Sequence, residues 1–184
     1  MKLGWGKIAV LTGRLPTTPR TRSGEPVMDA AEARYWSITG YDTAFPDEDG
    51  YGGAAVHVLM DEDVVVDAEG RYVIVFSREF ERPVNATAEN GVTWVNWGPT
   101  AHLSWTIRWL SVAPDWKFEF SPDEALVGWR SDWAAEGADV AATRTNAPGV
   151  LGDYQPIVHT MSTWDFSALG ENPRLPAEPV WRDE

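Results

Sequence analysis

The chain has 184 residues, 43% of them hydrophobic and 23% charged, a size and balance that suit one globular domain with a filled core. Its net charge of −13 argues against nucleic acid or an anionic membrane surface as partner, because both require a surplus of Lys and Arg. It contains no cysteine, which excludes disulfides, zinc–thiolate sites, iron–sulfur clusters and cysteine nucleophiles.

Lys2, Lys7, Arg14, Arg20 and Arg22 give residues 1–24 five basic side chains and no acid, leaving −18 on residues 25–184. This segment reads in two ways. Either KIAVL (7–11) is the first strand of its own sheet, or residues 1–24 form a cationic arm that pairs with a second copy and makes a homo-oligomer. The opening MKLGWGKIAVL is interrupted by Gly4, Gly6 and Lys7 and does not read as a signal peptide. No apolar run approaches the roughly 20 residues of a membrane span.

After an irregular stretch over 12–32, two-residue alternation dominates. Strands are expected over 33–42, 54–60 and 71–77, the last with apolar residues on both faces and therefore central. The DVVVDAEG stretch (63–70) ends in Asp67, Glu69 and Gly70 and predicts a hairpin into 71–77. GVTWVNWG (91–98) is a further strand. In LSWTIRWL (103–110), Leu103, Trp105, Ile107 and Trp109 share a face, the pattern of a half-buried strand whose indoles join the core.

Helices are expected over 121–137, opened by Ser121, Pro122 and Glu124, and in miniature over 162–170, with Ser162 as cap and Gly170 as stop. Residues 171–184 read as an extended, proline-rich tail after a sandwich domain at 25–170. The fold class is mostly β: an antiparallel sandwich, jelly-roll-like, with one or two short helices.

LTGRLPTTPRT (11–21), ARYWSITGYD (33–42), VDAEGRYVIVFS (66–77), RPVNATAENGVTWVNWG (82–98) and LGDYQP (151–156) carry a resemblance. Together they resemble the C-terminal jelly-roll domain of bacterial proteins classed as domain of unknown function twelve-fourteen, above all its secreted, actinobacterial-type relatives. The resemblance covers about residues 8–170. It implies a jelly-roll sandwich and suggests secretion, and it brings no catalytic motif.

Candidate site residues come from two groups. His57, His102 and His159 could hold a metal or a ligand if they converged, but no H-x-H or H-E-x-x-H spacing joins them, so no metal site is expected. The acidic runs 47–49 and 61–63 lack the spacing of a calcium loop. No G-x-S-x-G is present, and Gly50–Gly53 runs into a strand rather than a helix. No cofactor is implied. The eleven tryptophans are the stronger lead. Trp94 and Trp97 fall on opposite faces of their strand, while Trp5, Trp116 and Trp181 stand outside any apolar period. An exposed indole beside acids can stack a sugar or hold a cationic or aromatic ligand. Trp94, Trp97, Trp116 and the three histidines are therefore the expected ligand-binding residues. The reading that follows is a module binding a small molecule, a carbohydrate or a protein without catalysis. A hydrolase using carboxylates and histidines in the sandwich mouth and a structural subunit assembling through residues 1–24 are the alternatives.

Overall fold

A computed structural model describes residues 3–27, 29–42, 54–99, 102–113 and 154–177. The expected helix over 121–137, Trp116, Trp181, the acidic run 47–49 and the end of the tail lie outside these residues. The described residues form seven strands, β1 (Lys7–Arg14), β2 (Tyr35–Asp42), β3 (Ala54–Met60), β4 (Arg71–Ser77), β5 (Thr93–Asn96), β6 (Leu103–Leu110) and β7 (Ile157–Ser162), the last followed by the one-turn helix α1 (Thr163–Ser167). They form a four-stranded sheet in the order β5-β4-β1-β7 and a three-stranded sheet in the order β3-β2-β6. This is the mostly-β sandwich that the alternation implies. Every ladder is antiparallel except β4–β5, which is parallel. The connection over 78–92 supplies the long crossover that a parallel pair requires.

The N-terminal strand is internal. Val10 lies opposite Val75 on β4 and His159 on β7, so both edges of β1 are paired within the chain. Its alternation serves two cores, because both faces of a central strand are covered. Ala9 and Leu11 face the other sheet with Tyr72, Ile74 and Phe76, and meet Trp36, Ile38 and Leu59 there. Ile8 and Val10 face outward with Val75, into a second core closed by Val92, Met161 and Phe166 of α1. Trp105, Ile107 and Trp109 pack on the first core as the β6 alternation requires, and the Trp105 ring meets Phe76 edge-on at 5.0 Å.

Ser162 caps α1 by accepting from the Asp165 backbone N–H at 2.9 Å, and Gly170 follows with a φ of 72°. The 63–70 hairpin is shorter than expected. Its turn is present, with Asp67 Oδ1 accepting from the Glu69 and Arg71 N–H groups, but only the single bridge Val66–Tyr72 precedes β4. Val65 instead turns aside and donates its N–H to Thr93 Oγ1.

Candidate functional site: the aromatic end of the sandwich

The histidines do not come together. His159 is fully buried on β7, on the outer face of the four-stranded sheet, with Nε2 3.2 Å from Thr12 Oγ1. Burial holds its pKa below the ordinary histidine value, so the neutral ring is favoured. His57 is on β3 and His102 just before β6, both half-buried, with β2 between those two strands. Burial also lowers the His57 pKa, against the opposing pull of Asp63. Among the described residues, no group of three or more His, Asp or Glu side chains is arranged to hold a metal ion.

The expected tryptophans are engaged in packing. Trp97 is 1% exposed, inside the first core, so it presents no face to a ligand. Trp94 lies on the second core, as the opposite-face argument requires. Its Nε1 donates to Ser77 Oγ at 2.8 Å, and the Arg82 guanidinium covers its ring at 4.3 Å. That guanidinium is itself fixed by Nε and Nη2 donating to the Ala86 carbonyl.

The exposed aromatic surface lies elsewhere, where β1 begins and β4 and β7 end. Trp5 is 77% exposed, Phe80 68% and Trp164 81%. Their proximity follows from the backbone. Thr163 N–H donates to the Gly6 carbonyl at 2.9 Å and Thr163 Oγ1 to the Glu81 carbonyl at 3.1 Å, so the immediate neighbours of all three aromatics are bonded to one another. The Trp5 and Phe80 rings are 5.6 Å apart, tilted by 32°. Val84 and Leu169 are also exposed, and the Asn85 side-chain amide, next to Val84, donates to the Phe166 and Gly170 carbonyls.

Beneath the rings lies a buried ion pair, Arg78 with Glu81. Glu81 Oε1 also accepts from Gly6 N–H at 2.8 Å. The Arg78 Nη2 donates to the Leu3 carbonyl at 3.3 Å, and its guanidinium carbon is 4.8 Å from the Trp5 ring centroid and 5.6 Å from that of Trp97. A buried charge pair is costly unless its remaining donors and acceptors are occupied; here the chain entering β1 occupies Glu81 Oε1 and Arg78 Nη2, while the buried Arg78 Nε has no hydrogen-bond partner among the described residues. Gly6 makes the turn into β1 at a φ of 69°, a left-handed conformation that glycine adopts without strain.

Both Glu81 oxygens are engaged within the fold. Trp5 stood out in the sequence; Phe80 and Trp164 did not. Phe80 carried one usable signal, a lone aromatic inside the charged run Arg78–Arg82. No helix among the described residues is long and apolar enough to cross a membrane. The chain matches no known family model, no curated protein and no solved structure.

Proposed function

We propose that the protein is a non-catalytic β-sandwich module, of jelly-roll type, that binds carbohydrate on the Trp5–Phe80–Trp164 surface. The observation that carries this reading is the exposure of three large aromatics, Trp5, Phe80 and Trp164, whose neighbouring residues are hydrogen-bonded to one another. Apolar surface of this kind, gathered at one place on a folded chain, marks an interaction site. Aromatic rings fit the flat C–H face of a pyranose, and the indole N–H offers a donor to its hydroxyls. The net charge of −13 favours neutral glycans over acidic ones.

The test is titration of the intact chain with neutral glucans, xylan, mannan and chitin oligosaccharides, followed by calorimetry and tryptophan fluorescence. Saturable binding to one of them is expected. Trp164→Ala and Trp5→Ala should each weaken it by at least about tenfold. Two results overturn the reading: no response from any glycan, or unchanged binding by both variants. Silence from every glycan together with concentration-dependent self-association would assign the surface to a protein contact instead.

A further inference from the structure

At the other end of β1 the chain leaves the sheet as a strap over residues 15–25. Leu15 N–H donates to the Gly70 carbonyl at 2.8 Å. Thr21 Oγ1 and Arg22 N–H both donate to Glu62 Oε1, at 3.1 and 3.0 Å, and Arg22 pairs with Asp63. Between strap and body lies a cavity of about 220 Å³, walled by Leu15, Val64 and Val66 and rimmed by Arg20, Asp61 and Glu62. A cavity of about 150 Å³ accepts benzene, so this one has room for a small apolar body and a polar head.

The rim has two unmatched functions of opposite sign. The Arg20 guanidinium bonds to no described residue; only the Arg20 backbone N–H is used, donating to Glu25 Oε2 at 2.7 Å. Both Asp61 oxygens are engaged, Oδ1 by Glu62 N–H and Oδ2 by Trp36 N–H. Glu62 spends Oε1 on the strap, which leaves Oε2. A simple anion drawn to Arg20 would be repelled by the two carboxylates, and a simple cation drawn to the carboxylates would leave Arg20 unpaired. A ligand carrying both charges satisfies the rim, because each charged group then gains a charge-assisted hydrogen bond.

We propose that this cavity binds a small zwitterion with an apolar body, the chemistry of an apolar α-amino acid. Arg20 takes the carboxylate, Glu62 Oε2 takes the ammonium, and the side chain packs on Leu15, Val64 and Val66. The site is separate from the aromatic end and does not depend on the carbohydrate reading.

The experiment adds free L-leucine to the ¹⁵N-labelled protein, with calorimetry alongside. Saturable binding is expected, with amide shifts centred on Leu15, Val66 and Gly70. Arg20→Gln and Glu62→Gln should each weaken it at least about tenfold, as should replacing leucine by N-acetyl-leucine or leucinamide. The amide spectrum of each variant verifies its fold. The proposal is overturned if leucine fails to saturate in the low-millimolar range, if the shifts centre elsewhere, or if either blocked leucine binds as well as leucine.

Discussion

The two ends of the four-stranded sheet are built on different physics. At the aromatic end a buried ion pair, Arg78–Glu81, draws together the chain entering β1 and the chain leaving β4, and Thr163 ties in the chain leaving β7. At the cavity end the strap is held by exposed contacts: Arg22–Asp63, Thr21–Glu62 and Thr17–Glu32. Charges in a dry interior interact strongly, and either one is costly to leave alone, whereas exposed pairs are screened and weak. One end is therefore a fixed platform, and the other is a seam whose contacts each contribute little. A rigid base suits stacking on flat rings, and a lightly held strap suits admission of a small molecule to a cavity beneath it.

The largest effect should come from the aromatic end. Glu81→Ala leaves the Arg78 guanidinium buried without its partner, a change that costs about 3–5 kcal/mol. Replacing both together, Arg78→Met with Glu81→Leu, should recover most of that loss, because two apolar groups need no charge compensation. Chemical denaturation of the single and double variants measures both quantities. A loss below about 1 kcal/mol for Glu81→Ala would erase the contrast between the ends.

How much of this was legible in the sequence depends on whether the signal is local. β1, β2, β4 and β6 announced themselves because Ile8/Val10, Trp36/Ile38, Tyr72/Ile74/Phe76 and Trp105/Ile107/Trp109 repeat every second residue, and a strand exposes that period directly. β7 went unread. In IVHTMS the buried positions include His159 and Thr160, polar residues that mask the apolar faces, and the His159 ring meets Thr12, far away in sequence. Trp97 was a reasonable binding candidate by composition but is a core residue, because β5 delivers it between the sheets. Phe80 and Trp164 were invisible for the converse reason. Nothing local says that Thr163 will bond to Gly6 and Glu81, and those bonds are what gather the aromatics.

Between the ends, the interior of the four-stranded sheet supplies an effect set by pH. Burial holds the His159 pKa below its unfolded value of about 6.5. The folded state therefore binds fewer protons than the unfolded one as pH falls through that value. The stability associated with a neutral His159 is present above about pH 6.5 and lost as pH drops toward the folded pKa. Melting temperature should fall between about pH 7.5 and pH 5, and His159→Gln should flatten the slope. His57 has a shift of the same sign, so some slope should survive until His57→Gln is added. A slope unchanged in His159→Gln would mean that the ring titrates freely, against its burial.

The smallest effect belongs to the seam. Glu32 anchors the strap by accepting from Thr17 N–H at 2.8 Å, from Thr17 Oγ1 at 3.2 Å and from the Tyr154 hydroxyl. Partial burial pushes its pKa up, but those three hydrogen bonds and Arg14 outweigh it, and the carboxyl is held below the usual glutamate value. The sign is that of a depressed acid: the stabilisation is complete above the unfolded value of about 4.3 and disappears as pH falls through the folded pKa. Because the side chain is partly in solvent, Glu32→Gln should cost under about 1 kcal/mol at neutral pH. The gap between wild type and variant should close below about pH 4 and narrow in high salt, since Arg14 at 3.9 Å is an exposed partner. Thermal melts across pH and salt resolve both trends. A large, salt-independent loss would show that the strap is as firmly built as the aromatic end, and the two ends would no longer differ in kind.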